Sequence, residues 1–285
     1  MIKLQVKQIV ILPILVGLMI SMGINGYLMV QGQDAYVNLF MNFYSNRPVS
    51  EIPDYATPIL VCAGALQLAA LLLLLAALVR REFLSEAKNT CLKWSLLLEA
   101  SAIAGYGFLL RMVSNHAGAA NLFFFLGLVY LVLWVVEKRA NNQTHNTVFE
   151  KVKLLPIILT MCYTMGQPGW NKLFNTSEVM GNYVRMFQES FLASLPGGIP
   201  PFIYLLGVCE VAVPLLMLMS LVRREFLPLQ NRTFLSWAML VSMTTFIMLA
   251  FGLSVLVNYP GATNLIFYAI ISLGLWLYMN PLEEK

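Results

Sequence analysis

The sequence has few of the residues that carry electrons or hold cofactors. Only 11% of its 285 residues are charged, against roughly 25% in an ordinary soluble domain. There are two histidines, His116 and His145, so no pair of histidines in the apolar segments can ligate a haem. Iron–sulfur cysteine spacing, a phosphate-binding loop and a dinucleotide fingerprint are also missing. We therefore predict no catalytic residue, no metal site and no cofactor of the chain's own, and leave open whether it is an enzyme.

The cysteines are few and are not paired by spacing. Cys62, Cys91, Cys162 and Cys209 lie in or at the ends of apolar segments, without C-x-x-C spacing. This placement argues against a disulfide framework. We predict that all four are buried small hydrophobic side chains.

Apolar residues dominate what remains. They make up 59% of the chain, which is too much apolar surface for one water-facing globule. Runs of about 17 to 25 apolar residues can cross a hydrocarbon core of roughly 30 Å as helices. The sequence therefore predicts an all-α, polytopic membrane protein that has a lipid bilayer as its partner. Its eight transmembrane helices are predicted near residues 8–30, 57–79, 92–112, 119–137, 152–172, 201–222, 233–257 and 262–279.

The chain is an internal repeat. The heptapeptide Leu78–Leu84, L-V-R-R-E-F-L, returns at Leu221–Leu227, an offset of 221 less 78, or 143 residues. A fixed period of this kind indicates a duplicated structural unit. We predict a first four-helix repeat over 1–140, a cytoplasmic linker over 141–151 and a second four-helix repeat over 152–285. The same offset aligns Pro13 with Pro156, Gly26 with Gly169, Gly64 with Gly207, Trp94 with Trp237, Asn115 with Asn258 and Gly118 with Gly261.

The basic residues predict an orientation rather than nucleic-acid binding. Of eighteen Lys and Arg residues, fourteen fall on one side of the predicted membrane, and the exceptions are Arg47, Arg111, Lys172 and Arg185. The positive-inside rule then places both termini in the cytoplasm. The apolar run after Lys7 continues to about residue 30 without a cleavage site, so we interpret it as a span and not a signal peptide. Four helices per repeat make the repeats parallel. We expect a multi-pass protein of the bacterial inner membrane.

The connecting segments carry local signals. Apolar residues at three- and four-residue spacing predict an amphipathic helix on the outer surface, with a weaker copy over 36–43. The Arg-Arg turns predict a topology signal and lipid-headgroup contact. Asn115 to Gly118 and Asn258 to Gly261 supply the capping residues of tight outer turns. The residues of the predicted amphipathic face are Met180, Tyr183, Val184, Phe187, Phe191 and Leu195.

Two carboxylates, Glu99 and Glu210, fall inside predicted spans. A charge at mid-bilayer costs about 2.5 to 3.5 kcal/mol, so each requires a partner or a proton. Lys172 aligns with Met29 and Glu210 with Gln67, so the first repeat lacks both charges together, as expected of an ion pair. Glu99 has no partner visible in the sequence. Three interpretations remain: its carboxyl group is protonated, it is hydrogen-bonded to Ser or Thr, or it is part of a proton path.

Two further interpretations concern the second repeat. Arg185 and Glu189 are four residues apart and predict an ordinary surface pair. Lys172 and Glu210 either form a buried pair that only fixes the helix positions, or belong to a pocket open to the outside. Such a pocket would bind a small or amphiphilic ligand. Its predicted lining residues are Trp170, Asn171, Lys172, Arg185 and Glu210.

The run from Gly169 to Phe174, G-W-N-K-L-F, followed by Leu205 to Glu210, resembles the DoxX-like family of four-helix membrane proteins. That family has a Gly-x-x-Lys step closing its first helix and a glutamate in its second. The resemblance covers most of 152–280, and the first repeat departs from it at Met29 and Gln67. It implies an accessory or anchor subunit of a membrane redox system, such as thiosulfate-to-quinone oxidation, with quinone as the expected cofactor contact and a catalytic subunit as partner.

Three functional hypotheses follow. The first is the redox accessory subunit that the resemblance implies. The second is a small-molecule or lipid binding or transport protein that uses Lys172 and Glu210. The third is a membrane assembly or cargo factor with protein clients. The sequence alone does not separate them.

Overall fold

The computed structural model describes residues 10–31, 55–84, 89–112, 115–139 and 147–280. Within these ranges every regular element is helical, which confirms the predicted all-α class. The chain divides into two compact units, Met1–Pro156 and Ile157–Lys285.

The first unit is built from consecutive antiparallel helices. Its elements are α1 (Leu12–Gln31), α2 (Ala56–Val79), α3 (Thr90–Met112), α4 (His116–Arg139) and the short α5 (Thr147–Val152). Each of the four long helices packs against the next one in the chain. A core cluster near one end of the unit is formed by Met29, Ala56, Leu60, Ala63, Leu109, Leu110 and Ala119.

The second unit has the same order of long helices, with a shorter helix between its first two. Its elements are α6 (Leu155–Phe174), α7 (Thr176–Phe187), a 3-10 turn (Phe191–Ser194), α8 (Pro200–Val222), α9 (Thr233–Val255) and α10 (Tyr259–Met279). α8 packs against α9, and α9 against α10. One core cluster lies where α7 and the 3-10 turn meet the start of α8 and the end of α9, and its buried members are Phe187, Leu192, Ile199 and Ile203.

The 143-residue offset is reproduced by the helix boundaries. Adding 143 to the ends of α1 gives 155 and 174, the ends of α6. The same shift carries α3 onto α9 at both ends, and α4 onto α10 at its start. α2 and α8 differ by one residue at the start and agree at the end. The described long helices therefore recur at the same offset as the sequence repeat.

Seven of the described helices are long and apolar enough to cross a membrane: α1, α2, α3, α4, α8, α9 and α10. The remaining long helix, α6, has 20 residues, but Gln167, Asn171 and Lys172 lower its mean hydropathy. The chain thus has the architecture of a multi-pass membrane protein. The predicted span over 152–172 corresponds to α6, which is long enough to cross a membrane but is more polar than the other seven long helices.

The repeated Arg-Arg turn contains a carboxylate that caps the following helix. Arg81 and Arg224 adopt left-handed backbone angles, with φ of 57° and 59°. Immediately after them, Glu82 accepts a hydrogen bond from Leu92 N at 2.9 Å, and Glu225 accepts from Phe234 N and Leu235 N at 3.1 and 2.9 Å. These amides open α3 and α9, where orphan N–H groups and the helix dipole favour a negative charge. The heptapeptide therefore joins two long helices and caps the second of them.

Substitution of Glu225 by glutamine is expected to destabilise the second unit by about 1 to 3 kcal/mol. The amide keeps one acceptor oxygen in place of two and loses the charge that complements the helix N-terminus. Thermal unfolding in detergent measures the effect. Glu178→Gln is the matched control, because Glu178 is exposed in the first turn of α7. Equal effects of the two substitutions would contradict the capping role.

The turns before α4 and α10 agree with their predicted capping chemistry. Asn115 Oδ1 accepts a hydrogen bond from Gly118 N at 2.9 Å, and Asn258 Oδ1 accepts from Gly261 N at 3.1 Å. A Cβ at Gly261 would lie 2.8 Å from Leu253 Cδ1 and 2.9 Å from Asn258 Nδ2. A side chain at this position would therefore displace the side chains of Leu253 and Asn258.

The predicted amphipathic helix forms, but it is shorter than expected. α7 ends at Phe187, so Met180, Tyr183 and Phe187 pack on the core, while Val184, Phe191 and Leu195 remain exposed. The predicted Arg185–Glu189 pair is wrong, because Glu189 lies beyond the end of the helix and no ion pair joins these two described residues. The weaker copy predicted over 36–43 lies outside the described residues.

The end of the predicted linker is structured. α5 lies in this stretch, and its Phe149 is 2% exposed, with its ring 5.6 Å from that of Trp94 in an edge-on arrangement. Lys153 binds Glu150 at 2.8 Å and Glu137 at 3.4 Å. The stretch after residue 146 is therefore docked on the first unit, and residues 141–146 lie outside the described part of the chain.

Candidate functional site

Lys172 of α6 and Glu210 of α8 form a buried ion pair. Lys172 Nζ lies 2.7 Å from Glu210 Oε1 and 2.6 Å from Oε2, and the two side chains are 4% and 2% exposed. The Lys172 ammonium also lies 5.8 Å from the centre of the Tyr183 ring, which α7 contributes. This is within cation–π range. Direct pairing is therefore established, and both carboxylate oxygens accept from the lysine.

Gly169 of α6 and Gly207 of α8 allow the close approach that brings Lys172 and Glu210 together. A Cβ built on Gly169 would lie 2.7 Å from Glu210 Cβ and 2.9 Å from Val211 N. One built on Gly207 would lie 2.9 Å from Leu173 Cδ2 and 3.1 Å from Lys172 Cβ. Small residues let two membrane helices approach closely. The crossing of α6 and α8 thereby brings Lys172, near the end of its helix, to the level of Glu210.

The first unit has the same crossing without the charges. A Cβ on Gly64 would lie 2.6 Å from Met29 Cβ and 2.9 Å from Gly26 O. Gly26 and Gly64 correspond to Gly169 and Gly207 at the 143-residue offset, and Met29 corresponds to Lys172. Gly26 and Gly169 therefore lie within α1 and α6, where they allow close packing against the next long helix.

Glu99, for which the sequence shows no partner, is hydrogen-bonded to Gln67. Gln67 Nε2 of α2 donates to Glu99 Oε1 of α3 at 3.3 Å, and the two side chains are 4% and 0% exposed. Gln67 is the residue that replaces Glu210 in the first unit, and Ser242 stands in the second unit where Glu99 stands in the first. The hydrogen-bond partner of Glu99 is therefore a glutamine, and the interpretation that it is a Ser or Thr is wrong.

The other predicted pocket residues lie apart from the ion pair. Trp170 is 57% exposed and its ring lies 4.2 Å from that of Phe174. Asn171 Oδ1 accepts a hydrogen bond from Asn175 Nδ2 at 3.1 Å, on the outer side of α6. Arg185 is exposed on α7. Of the five predicted lining residues, the structure brings together Lys172 and Glu210.

Lys172 and Glu210 neutralise each other's charge in a buried position. Its desolvation penalty is large, and the mutual attraction offsets it only when the geometry is good. The two short contacts satisfy that condition. Such a pair can hold two helices in one relative position, or can open to exchange the carboxylate or ammonium partner for a ligand.

The cysteines are all free, and one of them contradicts its prediction. Cys91, Cys162 and Cys209 are partly buried, whereas Cys62 is exposed on α2. Cys62 is therefore not a core residue. Among the described residues, no three His, Cys, Asp or Glu side chains converge as metal ligands.

Three functional positions were missed from sequence. They are Gln67 as the partner of Glu99, and Glu82 and Glu225 as helix caps. The repeat held a signal for each, since Gln67 aligns with Glu210, and the two glutamates belong to the identical heptapeptide.

Comparison of the chain with family models, with curated proteins and with solved structures finds no match.

Proposed function

We propose that the chain is a DoxX-like integral membrane protein that serves as an accessory or anchor subunit of a membrane redox system, in contact with quinone. The observation that supports this proposal is the position of the family-like residues. The lysine of Gly169-x-x-Lys172 and the glutamate of the next long helix meet as a buried ion pair, with contacts of 2.6 and 2.7 Å. The first unit keeps the helix crossing and lacks both charges, so the second unit carries the site.

The proposal includes eight spans. α6 has 20 residues, or about 30 Å of helix, and it corresponds to α1 at the 143-residue offset. The charge of Lys172 is paired with Glu210, which reduces the cost of placing it in the membrane. The pair thus compensates for the low hydropathy of α6.

The proposed location is the bacterial inner membrane, with both termini in the cytoplasm. Support comes from the two Arg-Arg turns, which follow equivalent helices and expose Arg80, Arg81, Arg223 and Arg224. Exposed basic residues beside span ends favour the cytoplasmic side.

Gentle extraction of the native protein from its own membranes tests the proposed function. We expect a redox subunit to co-purify, with its flavin, haem or quinone visible in the absorption spectrum or by mass spectrometry. A colourless preparation without a redox protein, from cells that express one, would count against the accessory role. Nascent or soluble clients in its place would favour an assembly or cargo factor.

A second candidate function is binding of a small amphiphilic ligand at the ion pair. It is favoured by Tyr183, because α7 places this aromatic ring 5.8 Å from the Lys172 ammonium, where an amphiphilic ligand at the pair would meet it. Retention of one non-quinone metabolite or lipid through purification, and its loss in Tyr183→Ala, would favour this function over the first.

A further inference from the structure

The first unit holds two buried polar side chains whose hydrogen bonding is half complete. Gln67 Nε2 donates to Glu99 Oε1 at 3.3 Å. In the described part of the chain, the remaining oxygens, Gln67 Oε1 and Glu99 Oε2, are buried and have no hydrogen-bond partner. Both orphan atoms are oxygens on side chains that already touch each other.

The missing group is a hydrogen-bond donor. An ionised carboxylate only accepts hydrogen bonds, and an amide oxygen does likewise. Leaving such groups buried and unpaired costs about 1 to 3 kcal/mol each, and more for a charge. One proton on Glu99 Oε2 removes both deficits, since Oε2 becomes a donor and Gln67 Oε1 becomes its acceptor. Acid and amide then make two reciprocal hydrogen bonds.

The positions of the charged residues around Glu99 also favour its neutral form. Within their described bounds, α1 and α2 carry no Asp, Glu, Lys or Arg. On α3 the basic residues are Lys93 and Arg111, six and twelve residues from Glu99, or about 9 and 18 Å along the helix. On α4 the charged residues and the histidine, Glu137, Lys138, Arg139 and His116, lie in its first and last turns, and the Tyr130 hydroxyl between them donates to Lys153 O. Glu99 is the tenth residue of 23 in α3, near the middle of the span.

We propose that Glu99 and Gln67 form a proton-binding site in the first unit, in which the proton on Glu99 Oε2 is donated to Gln67 Oε1. The second unit meets the same requirement differently. Both oxygens of Glu210 accept from the Lys172 ammonium, and serine occupies the position of Glu99. One unit therefore neutralises its carboxyl with a proton and the other with a lysine.

Infrared difference spectroscopy of the full chain in lipid tests this site at neutral pH. The spectrum of the wild-type protein minus that of Glu99→Gln should contain the carbonyl band of one protonated carboxylic acid. Glu210→Gln is the matched control in the same molecule, and its difference spectrum should contain carboxylate bands instead. Carboxylate bands in the Glu99→Gln difference would overturn the proposal.

A second variant keeps the test decisive if Glu99→Gln does not fold. Gln67→Leu retains the acid but removes its amide partner, so the acid carbonyl band should persist and move to the higher frequency of a carbonyl with no hydrogen bond. An unmoved band in Gln67→Leu, or the absence of any acid band from the wild-type spectrum, would also overturn the proposal.

Discussion

Replacing Lys172 with methionine is expected to lower the free energy of unfolding of the second unit by about 3 to 5 kcal/mol. The substitution leaves Glu210 charged, 2% exposed and without the ammonium that both its oxygens contact. Glu210→Gln should have an effect of the same order, because it leaves the lysine uncompensated. Unfolding of the full chain in mixed detergent micelles measures both losses.

The double variant Lys172→Met/Glu210→Gln supplies the control. It introduces the residues of the first unit and should cost only about 1 to 3 kcal/mol, since no buried charge is then left without its counter-ion. Adding Ser242→Glu provides the partner that Gln67 has in the first unit, and should recover part of that loss. Losses that simply add in the double variant would rule out coupling between the two residues.

Gly169→Ala is expected to cost about 1 to 3 kcal/mol from overpacking. The loss of stability should be larger if the new methyl group also separates Lys172 from Glu210, because breaking a buried pair is itself costly. The new methyl group would meet Glu210 Cβ at 2.7 Å and the backbone nitrogen of Val211 at 2.9 Å. Backbone atoms move only if the helices separate. Thermal unfolding in detergent reports the loss of stability.

The chain offers a matched control for the glycine experiment. Gly274 lies inside α10 and is exposed, and a Cβ there would meet nothing within 4 Å. Gly274→Ala should therefore be neutral or stabilise the helix by up to about 1 kcal/mol. If Gly169→Ala and Gly274→Ala behaved alike, the tight crossing of α6 and α8 would not be what positions the pair.

Local features of the fold follow directly from the sequence. The runs of apolar residues predict the long helices, and Pro13 and Pro156 fall at their second residues, where proline is tolerated. Asn115 and Asn258 predict the outer turns because their side chains cap the next helix. These signals depend on neighbours in the chain, so they can be found without knowledge of the tertiary structure.

Contacts between helices are harder to predict. Gln67 and Glu99 are 32 residues apart, and only the packing of α2 on α3 places them face to face. The paired absence of Lys172 and Glu210 from the first repeat predicted that they interact, but their distance depends on two glycines whose role is visible only in three dimensions. Asn171 and Trp170 adjoin Lys172 in sequence, yet the helix turns them to other sides. Neighbours in the sequence are therefore not neighbours of the ion pair in space.

We propose as the central claim that the site for the redox partner lies at Lys172 and Glu210 of the second unit, and not at the Gln67–Glu99 pair of the first unit. Affinity capture from native membranes tests it most directly, with wild-type protein, Lys172→Met/Glu210→Gln and Gln67→Leu compared at equal amounts of folded protein. The account predicts that wild type and Gln67→Leu retain the same redox partner, while the double variant loses it by about tenfold or more, equivalent to about 1.4 kcal/mol of binding free energy. Equal capture by all three proteins, or loss with Gln67→Leu alone, would contradict it.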